Sequence, residues 1–377
     1  MRDSASIRSG DGPPLGEQRI GFVTTRDGVR LAYAVHGHGY PLVRAAHWLT
    51  HLQYDWESPV WVPWLRALGE RHRLVRYDER GCGLSDRDVA DFSVDAWVSD
   101  LDAVVDAAGL DRFALLGMSQ GAPVAIRYAA HHPERVSRLV ILGGYLAGWA
   151  KRDSAPARRE EIEATLTLMR FGWGRDNPTF RRLWTFNLVP DGDEALLRSY
   201  DALMRRTTSP ENAVRFEEAF GRIDVTGDAR RVRVPTLVLH LDDDKVVPFG
   251  CGPRVAAAIP GARFVQLHGR NHVIRPDEPA WPRFLELLDE FVGDAPARPS
   301  EPIFLADSLT ARQREILALV AEGLGNREIA ARIGLSVRTV ERHLSNAYLK
   351  LDLAGHSARA GAAARATELR LRARSDA

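Results

Sequence analysis

The pattern of apolar and polar positions changes character along this chain of 377 residues. From about residue 20 to residue 293, short apolar runs typical of buried strands alternate with segments that carry apolar residues at helical spacing. Beyond residue 303 only helical spacing remains. The pattern predicts an α/β domain, with a mostly parallel sheet covered on both faces, followed by a small all-α domain.

Turn signals and apolar runs place the predicted strands and helices. Two strand-like runs flank Asp27-Gly28, which predicts a β-hairpin. Residues 94–109 are predicted to form an amphipathic helix that ends at Gly109, and a second helix is predicted to run to Pro133. The further predicted strands are 41–46, 72–78, 113–117, 136–144, 236–242 and 262–268.

Changes of composition indicate the domain limits. Residues 1–18 are rich in Gly, Ser and Pro and are predicted to be disordered. The α/β domain is predicted over 19–293, with a helical cap at about 145–230, where the alternation is interrupted and no strand signal occurs. Residues 294–304 are predicted to be a Pro-rich linker, and 305–377 the helical domain.

Composition narrows the class of protein. Hydrophobic residues make up 45% and charged residues 27% of the chain, as in globular proteins, and the net charge is only +1. From Ile303 onward, however, 12 basic side chains face 8 acidic ones, a mild nucleic-acid signal. Two cysteines predict neither a disulfide framework nor a zinc site, so we expect a reducing cytoplasm. Residues 1–18 lack an apolar core and are not expected to be a signal peptide, and no apolar run of membrane-spanning length is found in the sequence.

A Gly-x-Ser-x-Gly pattern surrounds Ser119 in LGMSQGAPVA, residues 116–125. The pattern lies between a predicted strand and a predicted helix, where it is typical of a sharp turn that presents a nucleophilic serine. The glycines permit the unusual backbone geometry of such a turn. The free amides at the start of the helix would face a developing oxyanion.

An acid and a histidine follow Ser119 in the chain order serine, acid, histidine that this turn uses. HLDDDKVVP supplies aspartates directly after a strand, and GRNH supplies His272 after the last strand. The histidine would take the serine proton, and the aspartate would hold the imidazole and stabilise its charge. Spacing alone leaves the acid open among Asp242, Asp243 and Asp244.

In these features residues 20–293 resemble the alpha/beta-hydrolase superfamily. The segment RYDERGCGLSD is similar to that family's Asp-x-Arg-Gly-x-Gly-x-Ser, at Asp78, Arg80, Gly81, Gly83 and Ser85. Because the family's acid commonly stands four residues before a proline, the resemblance implies Asp244, before Pro248, with Asp242 second. It also implies a Ser119–Asp244–His272 triad. No metal-ligand spacing is present, and no cofactor is expected.

The family usually places His-Gly after the third strand, where the next amide completes the oxyanion hole. Here that strand is followed by His47-Trp48, so the resemblance implies the Trp48 amide beside that of Gln120. The bulk of Trp48 is expected to narrow the hole. His36-Gly37-His38-Gly39 has a similar sequence but lies one strand too early, and we predict a loop there.

Three tryptophans of the predicted cap have two open interpretations. Trp149, Trp173 and Trp184 could line an apolar ligand pocket or could pack the cap on the core. Cys82 is predicted to support a tight turn flanked by glycines rather than to react.

The C-terminal pattern divides into three helical segments. Residues 310–321 are predicted to form one helix that stops near Gly323. Asn326 is predicted to cap a short second helix, and Ser336 a longer third helix. Two helices joined by a short turn at Gly334 predict a helix-turn-helix.

This segment closely resembles the LuxR-type (GerE-type) helix-turn-helix over about 65 residues. The matching positions are Leu309-Thr310, Arg312, Glu315, Gly323-Leu324, Asn326, Glu328-Ile329-Ala330, Ser336, Thr339-Val340, His343 and Lys350-Leu351. The resemblance implies a third helix in the major groove of double-stranded DNA and a homodimer paired through a fourth helix. The residues predicted to bind DNA are Arg327, Ser336, Arg338, Thr339, Arg342 and Lys350.

Three functions fit this combination of domains. The chain could be a regulator whose hydrolase-like domain senses a small ligand such as an acyl ester or lactone. It could be a serine hydrolase of esters, lactones or amides with an accessory DNA-binding domain. It could also be a regulator that slowly turns its ligand over. Regulation is favoured because enzymes rarely need a base-reading helix, whereas regulators need a pocket; turnover by the triad stays open.

Overall fold

The computed structural model describes residues 16–152, 156–173, 175, 178–293, 311–350 and 362. The chain forms two compact units, residues 1–296 and residues 297–377. Three predicted features lie outside the described residues, save for a few positions: the disordered N-terminus, the linker at 294–304 and the fourth helix of the second unit.

The strands are β1 (Arg19–Thr24), β2 (Arg30–His36), β3 (Tyr40–Arg44), β4 (His72–Tyr77), β5 (Phe113–Met118), β6 (Val136–Leu142), β7 (Thr236–Leu241) and β8 (Arg263–Leu267). The helices of the first unit are α1 (Leu52–Asp55), α2 (Trp61–Arg71), α3 (Val94–Ala107), α4 (Gly121–His131), α5 (Trp149–Arg152), α6 (Pro156–Gly172), α7 (Pro178–Leu188), α8 (Glu194–Thr207), α9 (Pro210–Arg222), α10 (Thr226–Ala229), α11 (Cys251–Ala258) and α12 (Ala280–Gly293). Those of the second unit are α13 (Ala311–Ala321), α14 (Asn326–Ile333) and α15 (Val337–Lys350). None of these helices has the length and apolarity needed to cross a bilayer.

The eight strands form one sheet in the order β1-β2-β4-β3-β5-β6-β7-β8. β1 and β2 form the predicted antiparallel hairpin, in which Gly28 takes a left-handed φ of 87°. β2 also pairs antiparallel with β4, and the other neighbours are parallel. The predicted fold class, an alpha/beta-hydrolase fold followed by a small helical domain, is confirmed.

The central strands are apolar at consecutive positions because both faces of the sheet are covered. Every residue of β5 is buried. Leu115 packs into the core formed with α3 and α4, whereas its neighbour Leu116 packs on the opposite face with Trp64 and Phe284. Side chains of a strand alternate between faces, so both positions must be apolar. The sheet's carboxyl edge is thereby held as a rigid platform.

Six helices, α5 to α10, lie between β6 and β7 in the described residues. Two of them begin at side-chain caps: Asp193 accepts from the Leu196 amide at 2.8 Å, and Ser209 accepts from the Asn212 amide at 3.2 Å. α9 buries Phe216 within the core beneath α3 and α4. These contacts join the inserted helices to the body of the first unit.

In its described residues, the second unit packs three helices around Ile316, Ile329 and Val340. As predicted, Ser336 caps the third helix, its Oγ accepting from the Thr339 amide at 3.1 Å. The prediction that Asn326 caps the second helix is wrong, because the cap is Gly325 and Asn326 is already helical. The Gly325 amide donates to Glu328 Oε2 at 2.6 Å, so a glutamate in the first turn supplies the acceptor.

Candidate functional site

Ser119 lies on the turn between β5 and α4 and has a left-handed backbone φ of 48°. The flanking glycines make this turn possible. A Cβ on Gly117 would lie 2.7 Å from Ala125 Cβ, and one on Gly121 would lie 2.7 Å from the Ala46 carbonyl oxygen. Strained non-glycine residues of this kind concentrate at functional sites. The turn holds Ser119 at the carboxyl edge of the sheet, at the start of a helix.

Asp244 and His272 are in direct contact, since His272 Nδ1 lies 2.7 Å from Asp244 Oδ2. The other carboxylate oxygen accepts from the amides of Val246, at 2.8 Å, and Val247, at 3.0 Å. Burial favours the neutral acid, but the neighbouring His272 ring and these hydrogen bonds outweigh it and hold the pKa of Asp244 below its usual value. A charged Asp244 therefore orients His272 through Nδ1, which leaves Nε2 for chemistry.

The two neighbouring aspartates have other partners. Asp242 Oδ2 lies 2.7 Å from Nδ1 of His268, at the surface. Asp243 pairs with Lys245, also at the surface. The structure thus places Asp244, rather than Asp242 or Asp243, against His272.

The loop that carries His272 is fastened to the inserted helices. Asn271 is fully buried and exchanges two hydrogen bonds with Asp191: its Oδ1 accepts from the Asp191 amide at 3.0 Å, and its Nδ2 donates to Asp191 Oδ2 at 3.1 Å. The Val273 amide donates to the Leu188 carbonyl at 3.2 Å. A shift of these helices would therefore move His272.

The two predicted oxyanion donors face one cavity. In the described part of the chain, neither the Gln120 amide nor the Trp48 amide donates to a protein acceptor, and both residues line the cavity. The loop after β3 is strained, with Leu49 at a left-handed φ of 67°. His47 Nδ1 lies 2.8 Å from the Trp48 carbonyl. Burial and the nearby Arg44 lower the pKa of His47 to about 3, so His47 is neutral and only weakly basic.

The Trp48 ring packs among aromatic side chains of the inserted helices. Its centroid lies 5.4 Å from that of Trp173, in a stacked arrangement, and 5.4 Å from that of Trp184, edge-on. The two interpretations of the cap tryptophans both apply. Trp173 is fully buried and packs, whereas Trp149 and Trp184 line the cavity.

The turn after β4 supports both sides of the predicted oxyanion hole. Asp78 Oδ1 accepts from the Leu52 amide at 3.0 Å, which ties this turn to the loop that carries Trp48. The next residue, Glu79, accepts at Oε1 from Gln120 Nε2 at 2.9 Å. Glu79 is 1% exposed, and burial raises the pKa of this carboxyl to about 8.

A cavity of about 420 Å³ joins these elements. Its lining includes Ser119, Gln120, Trp48 and His272, together with apolar side chains of α6, α7 and α9. Leu168 and Leu183 also line it and are 51% and 58% exposed, so the cavity opens beside α6 and α7. Among the described residues, Ser119 Oγ has no hydrogen-bond partner, and no group of three His, Cys, Asp or Glu is arranged to hold a metal.

Three residues of the site were not identified from the sequence patterns. His240, fully buried on β7, places Nε2 3.9 Å from Asp244 Oδ2, behind the acid. Glu79 lies inside the Asp-x-Arg-Gly-x-Gly-x-Ser segment, at a position that the pattern leaves open. Glu217 lines the cavity from α9. Of the three, only Glu79 has a sequence feature that could have identified it, namely its place inside a segment similar to one of the family.

The predicted DNA-binding residues lie on α14, α15 and the turn between them. Arg327, near the start of α14, and Arg338, near the start of α15, are exposed. Ser336 and Thr339 face each other, with their hydroxyl oxygens 2.7 Å apart. The remaining two predicted residues, Arg342 and Lys350, are both in α15.

Two family profiles match the chain. Residues 38–279 match the profile described as alpha/beta hydrolase fold. Residues 307–360 match the profile described as bacterial regulatory proteins, luxR family. The first match covers strands β3 to β8 of the sheet, and the second covers all three described helices of the second unit.

Curated relatives and solved structures resemble the first unit. The "Putative carbamate hydrolase RutD" of Azorhizobium caulinodans is 27% identical over 269 residues, 70% of this chain and 95% of the relative. The protein with that description from Klebsiella pneumoniae strain 342 is 30% identical over 220 residues, 56% of this chain and 79% of the relative.

Among solved structures, the esterase EaEST from Exiguobacterium antarcticum has a TM-score of 0.62 at 24% identity, over 72% of this chain and 98% of its own. Est816, described as an N-acyl homoserine lactone degrading enzyme, has a TM-score of 0.59 at 23% identity, over 72% of this chain and 100% of its own. At these identities the solved structures support the fold alone.

Proposed function

Because the chain belongs to the alpha/beta hydrolase fold family and carries a luxR-family DNA-binding domain, we propose that it is a transcription regulator that senses a small molecule. The sensing site is the cavity above Ser119. The observation that carries this proposal is that one chain joins this cavity, with its mostly apolar walls, to a DNA-binding helix-turn-helix. Regulators need both parts, whereas a hydrolase needs only the first.

The DNA-reading surface of the proposal is α15 with its preceding turn. Arg338 and Arg342 stand one helical turn apart along α15, a spacing that suits contacts to phosphates and guanine edges in a major groove. Reading of paired half-sites favours a homodimer. Sedimentation of the full chain at micromolar concentration, with and without operator DNA, tests that state, and a monomer in both would oppose it. Action on the chromosome places the protein in the cytoplasm.

The proposed ligand is an acyl ester or lactone. Its acyl carbon would lie against Ser119, with its carbonyl oxygen directed at the Gln120 and Trp48 amides, and its apolar part would contact the aromatic walls. The curated relatives, described as "Putative carbamate hydrolase RutD", support a ligand that carries a carbonyl group of this kind.

A second candidate function is slow hydrolysis of that ligand, favoured by the Asp244–His272 contact and the two amides without a protein acceptor. His272 Nε2 would accept the Ser119 proton while Ser119 Oγ bonds to the acyl carbon. The alcohol part of the ligand would then leave with that proton. Water, activated by His272, would cleave the acyl-serine and release the acid.

A genome-wide DNA-binding profile of the full chain, with and without added acyl esters and lactones, tests the proposed function. We expect discrete sites that gain or lose occupancy with one ligand class. A profile without discrete sites, or one that no compound changes, would contradict regulation by a ligand.

A further inference from the structure

Glu217 on α9 is an acid without a partner in the wall of the cavity. Within the described residues its carboxyl makes no hydrogen bond and no ion pair, and it lines the cavity. Glu217 is partly buried, and this burial raises the pKa of its carboxyl to about 8. At neutral pH the group is therefore mostly a neutral acid, which can donate one hydrogen bond and accept others.

The wall around Glu217 is built rigidly. The Trp149 indole nitrogen donates to the Glu217 carbonyl at 3.2 Å. The Gly148 amide donates to the Ile223 carbonyl at 2.8 Å, and a Cβ on Gly221 would lie within 3 Å of the Trp149 ring. These contacts fix the start of α5 against the end of α9. They hold the backbone that carries Glu217 in the wall of the cavity.

The cation on the same wall is engaged elsewhere. Arg152 lies over the Tyr145 ring, at 5.1 Å from the centroid, and donates to Cys251 Sγ at 2.9 Å. Lys245, which also lines the cavity, pairs with Asp243. Neither cation forms an ion pair with Glu217. A partly buried carboxyl without a protein partner costs folding free energy, which a hydrogen bond from a ligand can offset.

We propose that Glu217 is a ligand-recognition residue and that the ligand of this cavity carries an N–H donor, as an amide or an ammonium group, which pairs with the Glu217 carboxyl. This inference names the chemistry of the ligand and rests on the proposed sensing role of the cavity. A primary or secondary amide satisfies a neutral acid twice, because it donates to the carbonyl oxygen and accepts from the hydroxyl. An ammonium group would instead form an ion pair with the ionised Glu217 carboxylate.

Matched probes separate these cases by isothermal titration of the full chain at neutral pH. 4-Phenylbutanamide and N,N-dimethyl-4-phenylbutanamide share an aromatic body and a carbonyl, but only the first has N–H donors. We expect the primary amide to bind at least about fivefold more tightly to the wild type. In Glu217→Met the affinities for the two amides should differ by no more than about twofold. This variant controls for the bulk of the two added methyl groups.

The variant Glu217→Gln and the probe 4-phenylbutylamine distinguish an amide donor on the ligand from an ammonium donor. Glutamine keeps a donor and an acceptor, so the preference for the primary amide should persist, whereas binding of the ammonium probe should weaken at least about tenfold through loss of the charge. Glu217→Met should also raise the melting temperature of the free protein, because it removes an acid without a partner.

Three results would overturn the assignment. They are an equal affinity ratio for the two amides in wild type and Glu217→Met, no binding of any probe, and a lower melting temperature of Glu217→Met. None of these measurements uses DNA or labelling of Ser119. Failure here therefore leaves the proposed regulatory function standing, and failure of DNA binding leaves this inference standing.

Discussion

The side chain of Gln120, the residue after Ser119, is tied to the buried carboxyl of Glu79, with Gln120 Nε2 2.9 Å from Glu79 Oε1. Gln120 supplies one of the two amides proposed to stabilise an oxyanion. Its side chain is 3% exposed and lines the cavity. We therefore propose that Glu79 positions the turn that carries Ser119, the proposed nucleophile.

Removal of the acceptor at Glu79 should slow attack by Ser119. We expect Glu79→Leu to label with a fluorophosphonate about tenfold more slowly than the wild type, because a displaced oxyanion donor costs part of its stabilisation. Glu79→Gln keeps a carbonyl acceptor for Gln120 and should label at nearly the wild-type rate at neutral pH. Labelling of Glu79→Leu at the wild-type rate, with an unchanged melting temperature, would remove Glu79 from this role.

The pH profile of labelling separates positioning by Glu79 from a merely structural role. The pKa of Glu79 is about 8 in the folded chain, above the ordinary value of 4.5. The contribution of neutral Glu79 to the free energy of unfolding is therefore complete below pH 4.5 and is lost as the pH rises through 8. Ionisation also places negative charge beneath the oxyanion donors. The wild-type labelling rate should fall above pH 8 relative to Glu79→Gln; parallel profiles would contradict the assignment.

The proposed triad predicts a steep loss of reactivity. Ser119→Ala should abolish fluorophosphonate labelling, and Asp244→Asn should slow it roughly 10³- to 10⁴-fold, because the amide leaves His272 in the wrong tautomer. Asp242→Asn is the matched control, since Asp242 lies against His268 instead. Intact-protein mass spectrometry measures the label. Equal losses in the two asparagine variants would refute the choice of Asp244.

Arg342 should contribute one phosphate contact from α15. Arg342→Ala should lower the salt slope of DNA binding by about one unit, because one fewer counterion is released. Arg283→Ala is the control, since Arg283 is on α12 of the first unit and pairs with Glu286 at 2.6 Å. Fluorescence anisotropy over a series of salt concentrations measures the slope. An unchanged slope and affinity would take Arg342 out of the interface.

The sequence was most informative where chemistry depends on neighbours along the chain. The glycines around Ser119 predict the strained turn because only glycine fits against Ala125 and Ala46. The family resemblance, through Pro248, implies Asp244 as the acid, and the structure places Asp244 against His272. The cap of the second helix was predicted wrongly, since Glu328 accepts the hydrogen bond from the Gly325 amide and Asn326 is not the cap.

Contacts between distant segments could not be read from local patterns. The pair Glu79–Gln120 joins residues 41 positions apart. Trp48 meets Trp173 only because the inserted helices fold back over the sheet. Nothing in the sequence of α9 distinguishes Glu217 from a solvated acid, because helical spacing shows burial but does not show the absence of a partner.

Occupying the cavity while measuring DNA affinity tests the central claim most directly. A fluorophosphonate fixed to Ser119 fills the cavity covalently, and unlabelled wild type and probe-treated Ser119→Ala serve as controls. The regulatory account predicts that stoichiometric labelling changes the affinity of the full chain for operator DNA at least about fivefold, in either direction. An affinity that stays within about twofold on fully labelled protein would contradict it.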